Sequence, residues 1–376
     1  MCSDWNWLHI FYLSLFSTVG VTIRAFMGRF FGGDCESNSQ VHIINDFLWP
    51  LSHTICVTAN GQTEQYGGAL FIDLPANMLG SFIMGFMTSF DVGWPPLACL
   101  SHGHPLQNEK GLHVGIKTAL CGCLTTFSSW NSQMVLMMDG TANPYLGQQI
   151  LAALFGYTIG LQAAIISFRG GRTVAAWFHL RKNPYVFDSA LSKKTFRRRW
   201  YHDHVSWMTP LAVFILIGTL IGLYIAGDVY WGIPYYRQLW IGCLTAPIGT
   251  LLRWELGKLN GKFSIRGLYW FPTGTFLANF LGSILSAGLT AWAIIEAGDV
   301  DAERWEIPTI KAISLGVAGS LSTVSTFAKE CVEIEEKNPT YDKKRFLYSK
   351  ETILSCCFVG LMVYSPIVRT MSDDQL

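Results

Sequence analysis

Apolar residues along this chain gather into runs of about 20 divided by polar stretches, the spacing of a chain that crosses a membrane repeatedly. Runs of spanning length cover residues 6–28, 69–90, 112–138, 147–168, 207–227, 236–256, 271–296, 308–332 and 351–369. They predict nine transmembrane helices and an all-α polytopic membrane fold. Several runs carry Gly, Ser and Thr among the apolar residues, a mixture that lets helices pack closely in lipid. The first run has no basic segment before it, so it is read as a retained helix and not as a cleaved leader.

Composition agrees with this pattern. Half of the residues are hydrophobic and only 14% are charged, against about a quarter charged in soluble domains. The net charge of +1 gives no reason to expect a nucleic-acid partner. The ten cysteines are scattered without the paired spacing of a zinc site. Cys121 and Cys123 are read as packing residues within an apolar segment. Cys35 and Cys56 fall in one loop and could pair, a point the sequence leaves open.

Loop charge sets an orientation. Residues 169–206 hold nine Lys or Arg, including Lys193, Lys194, Arg197, Arg198 and Arg199, and are expected in the cytoplasm. Alternation then puts 31–68 and 228–235 outside, and neither contains Lys or Arg. It puts 257–267 inside with Lys258, Lys262 and Arg266, and 333–350 inside with five bases. The N-terminus is expected in the cytoplasm and the C-terminus outside.

Comparing the chain with itself uncovers a repeat. Gly20-Val-Thr-Ile-Arg24 of the first span returns as Gly249-Thr-Leu-Leu-Arg253 in the sixth. Ala76-Asn77-Met-Leu-Gly80-Ser81 of the second returns as Ala278-Asn279-Phe-Leu-Gly282-Ser283 in the seventh. Gly122-Cys-Leu-Thr125-Thr126-Phe127-Ser128-Ser129-Trp130 of the third returns as Gly319-Ser-Leu-Ser322-Thr323-Val324-Ser325-Thr326-Phe327 in the eighth. Spans 1–4 thus match spans 6–9, with span 5 between them. A single linking helix starts the second half from the opposite membrane face, so the halves are expected to be inverted and to meet near the midplane. The expected units are a four-helix repeat at 1–170, a basic loop and linker helix at 171–230, and a second repeat at 231–376.

In these motifs the chain resembles the fluoride channel family of Fluc or CrcB proteins, and most of all its eukaryotic branch of fused fluoride exporters. The resemblance implies a third helix broken in each repeat, one chain acting as an internal pseudo-dimer, and residence in the plasma membrane. Gly122 and Gly319 lie mid-span before Ser and Thr, and glycine weakens a helix there by about 1 kcal/mol relative to alanine. The bland reading is a kink that helps packing. The resemblance instead implies a structural sodium ion held by the carbonyls of Gly122, Thr125, Gly319 and Ser322.

Fluoride is strongly hydrated, so its path must offer donors in place of water. Amides, hydroxyls and electropositive aromatic edges qualify. The resemblance assigns that role to Asn77, Asn279, Thr275, Ser325, Thr326, Glu330, Tyr348 and Thr352, with Phe127 and Phe327. Taken alone, an Asn in a membrane helix is as readily interhelical glue. Where the family has two Phe three residues apart, the first half has Phe127 and Trp130, and the second has Val324 and Phe327. The family's crossed pairing then predicts one working pore at Phe127 and Phe327 and one degenerate pore at Trp130 and Val324. Arg24 and Arg253 are costly in a membrane. They are expected either near helix ends and vestibules or capping backbone carbonyls.

The resemblance implies a passive channel through which the membrane potential drives the anion outward, with no enzymatic activity. No Walker, HExxH or GxSxG pattern points elsewhere. The alternative is a proton-coupled fluoride transporter, since inverted repeats serve both designs.

Overall fold

The computed structural model describes residues 7–31, 71–88, 97, 99, 105–139, 146–182, 215–223, 225–226, 234–262, 269–296, 305–337 and 343–374. Cys35, Cys56 and the basic run 193–199 lie outside the described residues.

Every regular element among the described residues is helical. Helix α1 is Trp7–Phe31 and α2 is Leu74–Phe86. Helix α3 runs through three consecutive pieces, Lys110–Val114, Gly115–Leu120 and Cys121–Leu124, and α4 is Phe127–Asp139. Helix α5 is Leu146–Lys182, α6 is Pro234–Gly257 and α7 is Thr273–Ile295. Helix α8 again has three pieces, Glu306–Ile313, Ser314–Ala318 and Gly319–Leu321. Helices α9, Ser325–Lys337, and α10, Lys343–Asp374, complete the order. Residues 215–223, between α5 and α6, are also helical. Among the described residues, five stretches are long and apolar enough to cross a membrane: Trp7–Gly28, Gln149–His179, Thr273–Ile295, Glu306–Lys337 and Lys343–Thr370.

The third span of each half is interrupted at matching positions. Thr125 ends α3 in an extended conformation, φ −97° and ψ 147°. Ser322 ends α8 in the same way, φ −82° and ψ 159°. Each break follows a wide π-helical stretch, Gly115–Leu120 in α3 and Ser314–Ala318 in α8. Such turns skip a hydrogen bond and frequently accompany functional sites.

Helix α1 packs on the π-helical piece of α3, α6 on that of α8, and α1 and α6 pack on each other. These contacts are tight because of the repeated glycines. A Cβ on Gly20 would stand 2.8 Å from the Leu120 carbonyl oxygen, and one on Gly249 2.3 Å from that of Val317. Helix α2 lies along α5 and α7 along α10, while α9 of the second half packs on α2 and α5 of the first. The two halves therefore share one interior.

The expectation of a loop from residue 169 is corrected. Helix α5 continues to Lys182, 37 residues in all. At 1.5 Å per residue it is about 55 Å long, well beyond a hydrocarbon core of about 30 Å. Charge ends the apolar stretch without ending the helix, because partners on α9 take up the charges. Arg169 pairs with Glu335 at 2.8 Å and Arg172 with Glu336 at 2.6 Å. Arg345 of α10 also bonds Glu335. Where α4 ends, Ser365 of α10 donates to the buried Asp139 carboxylate, and Arg369 stands 3.5 Å from it.

Candidate functional site

The two breaks meet, and each is held by its own half and by the other. Within the first half, Asn77 of α2 accepts from the Thr126 N–H at 2.8 Å and donates to the Thr126 carbonyl at 3.2 Å. Within the second, Asn279 of α7 accepts from the Thr323 N–H at 2.7 Å and donates to the Thr323 carbonyl at 3.2 Å. Both amides thus replace hydrogen bonds that the break removes from the backbone, as buried peptide groups require.

The arginines cross between halves. Arg24 of α1 donates to the Gly319 carbonyl at 3.0 Å and to that of Leu315. Arg253 of α6 donates to the Ser322 carbonyl at 3.0 Å and to that of Thr118. Both are nearly fully buried, at 2% and 5% exposure. Of the two roles considered for them, carbonyl capping describes their geometry. A Cβ on Gly319 would meet Arg24 Nη2 at 2.4 Å, and one on Gly122 would meet Arg253 Nη2 at 2.2 Å. The repeated glycines make room for the guanidinium groups.

Hydroxyls fill the remaining joint. Thr125 Oγ1 donates to Ser325 Oγ at 3.1 Å, and the Val324 and Ser325 N–H groups each donate to Thr125 Oγ1 at 3.2 Å. Ser325 Oγ also donates to the Cys121 carbonyl at 3.2 Å. Ser322 Oγ donates to Ser128 Oγ at 2.9 Å and accepts from the Ser128 N–H at 2.9 Å. Among the described residues, no three His, Cys, Asp or Glu side chains gather as a metal group. A cation at this joint would rest on backbone carbonyls, neutral oxygens of the kind hard cations take. Of the four oxygens the sequence suggests, those of Gly319 and Ser322 already accept guanidinium bonds, and each carbonyl has a second lone pair.

Beside the joint runs a row of buried rings. Phe127 and Phe327, one from each half, meet edge to face with centroids 5.9 Å apart and planes at 85°. Phe327 meets Tyr348 of α10 in the same manner at 5.2 Å. The Tyr348 hydroxyl donates to Glu330 Oε2 at 2.6 Å, and the Thr275 hydroxyl to Glu330 Oε1 at 2.6 Å. Thr352, one turn along α10 from Tyr348, is fully buried, and its hydroxyl has no protein partner. Phe127, Phe327, Tyr348, Glu330 and Thr275 thus form one continuous assembly. Thr326 faces elsewhere and lines a separate cavity with Lys329.

Asn260, just beyond α6, completes the acidic end and was missed in the sequence. Its Nδ2 donates to Glu330 Oε1 at 2.9 Å and to Thr275 Oγ1 at 3.1 Å. Its Oδ1 accepts from the Gly274 N–H at 2.7 Å and the Thr275 N–H at 3.2 Å, which caps the start of α7. No repeated motif contains it. The residue at the same distance after Arg24 is Phe31.

The opposite flank is filled differently. Trp130 is fully buried and stacks on Phe71 at 5.1 Å, with Phe127 and Tyr157 at 5.4 and 5.5 Å. Its ring occupies the space above Gly160, where a Cβ would come within 2.5 Å. Val324 is equally buried. Where the second half has Thr275 and Glu330, this flank has Asp73, which accepts from Ser129 Oγ at 2.5 Å, and Gln133, which accepts from the Ile72 N–H at 3.4 Å.

Together these features define a helical membrane protein of two related units whose broken helices lock into one another. A family model described as "CrcB-like protein, Camphor Resistance (CrcB)" matches residues 11–168 and 240–364. The chain belongs to this CrcB-like family. It is similar to fluoride export protein 1 of Candida albicans, 28% identical over 77% of this chain and 69% of that protein. It is also similar to the fluoride-specific ion channel FluC of Paraburkholderia xenovorans, 38% identical over 26% of this chain and 70% of that protein. The FluC of a Caulobacter strain is 29% identical over 31% of this chain and 85% of that protein. No solved structure matches.

Proposed function

We propose that the chain exports fluoride as a passive channel, with one conducting pore built by both halves. The observation that carries this reading is the junction of Phe127 and Phe327, which continues through Tyr348 to Glu330 and Thr275. Electropositive ring edges and the unpartnered Thr352 hydroxyl are what a dehydrated small anion needs. The names of the similar proteins support fluoride as the ion. On the opposite flank, Trp130 fills the volume above Gly160 and against Phe71, so that path is degenerate.

In the proposed architecture nine helices form two inverted repeats joined by a linker helix, working as a monomer in the plasma membrane. Contacts between distant segments support the orientation. Residues 169–172 bond residues 335 and 336, and all of these were assigned to the cytoplasmic side. Asp139, just past the end of span 112–138, lies with Ser365 and Arg369 at the end of span 351–369 that leads to the external C-terminus. The carbonyls of Gly122, Thr125, Gly319 and Ser322 would hold a structural sodium ion. Bound there, it would supply fixed positive charge beside the anion path.

Arg24 and Arg253 hold the breaks open, Asn77 and Asn279 fix their backbones, and Asn260 orients Glu330. Reconstituted into liposomes with a potassium gradient and valinomycin, the protein should release fluoride with no pH gradient imposed. The proton-coupled alternative has a physical candidate in the buried Glu330 carboxyl. It would be favoured if release occurred only with a proton gradient.

A further inference from the structure

Away from the aromatic row lies a cavity of about 620 Å³ between α2, α3 and α9. Its wall carries Lys110, His113 and Lys117 from α3 and Lys329 from α9, with the side chains of Thr118 and Thr326. Among the described residues, no lining residue is acidic. Glu109 lies in the chain between the lining residues Asn108 and Lys110, and Glu333 is 3.5 Å from the Lys329 ammonium, one turn along α9.

Lys117 belongs to the π-helical piece of α3, inside the apolar third span. A lysine at that depth needs water or a counter-anion. Two lysines from opposite halves facing one chamber repel each other unless negative charge lies between them. A cleft lined by one sign of charge also concentrates the field within it.

Size decides the class of anion. A cavity of 620 Å³ is within the range of sites for small organic ligands. A single fluoride fills only a small part of such a chamber. A polyvalent tetrahedral oxyanion suits ammonium groups carried by different helices, because its several oxygens accept in different directions.

We propose that this chamber binds a polyvalent oxyanion of the phosphate class. Lys117 and Lys329 hold it from the two halves, Lys110 lies toward solvent, and the threonine hydroxyls serve as neutral donors. An occupant would cancel the positive field beside Thr326 and slow anion entry from that side.

The test is calorimetric titration of inorganic phosphate into the purified full-length chain in detergent. Phosphate should bind, and Lys117→Gln with Lys329→Gln should weaken binding by at least about tenfold, or 1.4 kcal/mol. Lys117→Arg, which keeps the charge, should retain binding, as should Arg369→Gln, beside Asp139 at the opposite end of the third span. If the double variant does not fold, Lys329→Gln alone, 30% exposed, carries the measurement and should weaken binding severalfold. Repeating the titration in phosphatidylcholine nanodiscs, with and without a phosphoinositide, separates the two sources. Free phosphate binding equally in both favours a soluble ligand. Loss of phosphate binding only where the phosphoinositide is present assigns the site to a lipid headgroup. No binding at ~10 mM phosphate, or equal binding by the double variant, overturns the proposal. Fluoride flux does not enter this readout, so its failure is distinct from failure of the channel reading.

Discussion

Replacing Gly319 by alanine should destabilise the protein only because Arg24 is there. The new Cβ would stand 2.4 Å from Arg24 Nη2, so the guanidinium must retreat by about 1 Å to reach ordinary contact. That retreat strains its bonds to the carbonyls of Gly319, now 3.0 Å, and Leu315. Hydrogen bonds involving a charged group contribute about 1.5–3 kcal/mol each. Partial loss of two gives an expected cost of about 2–4 kcal/mol. In an Arg24→Ala background the space is empty. Gly319→Ala should then be neutral or stabilising by up to about 1 kcal/mol, the helix preference of alanine over glycine. The coupling is measured by a double-mutant cycle, following tryptophan fluorescence during denaturation in mixed micelles. Equal costs of Gly319→Ala in both backgrounds would refute the reasoning. The same cycle on Gly122 and Arg253, where the approach is 2.2 Å, should give the same sign.

Asn260→Ala should lower fluoride efflux several-fold and cost about 1 kcal/mol of stability, since it removes both the cap of α7 and a donor to Glu330. Asn260→Asp should keep the cap yet lower efflux further, because a second carboxylate would face Glu330. Equal efflux from both variants would contradict this division of roles. Gly160→Ala should destabilise the chain by about 1–3 kcal/mol through overpacking against Trp130, and Trp130→Leu in the same chain should recover most of that loss in the same denaturation assay. Glu335→Gln, which removes the acid shared by Arg169 and Arg345, should change the unfolding free energy by less than about 1 kcal/mol in the same assay because the pairs are partly exposed.

Periodicity and self-comparison go far with this chain because lipid and duplication both write plainly. Apolar runs mark the spans, and repeated motifs align Thr125 with Ser322 before any coordinate is known. The exact place of the break was less legible. Gly122 and Gly319 draw attention as helix breakers, yet they are helical, and the backbone extends three residues later. Their small size serves arginines from the other half, a contact between residues far apart in sequence. The choice between vestibule and capping roles for Arg24 and Arg253 turned on that same crossing. Asn260 left no trace because it lies outside the repeat, and its four bonds form only when α6, α7 and α9 converge. The end of α5 was misjudged because hydropathy reports where lipid stops, not where a helix does.

In the proposed channel, fluoride passes where Phe127 meets Phe327. Fluoride efflux from liposomes should be compared for Phe127→Ile, Phe327→Ile, Trp130→Ala and Val324→Ala, each at matched reconstituted protein. The two Phe variants should lose most of their flux while Trp130→Ala and Val324→Ala retain it. Four variants that behave alike, or flux that depends on Trp130 and Val324 in place of the Phe pair, would contradict it.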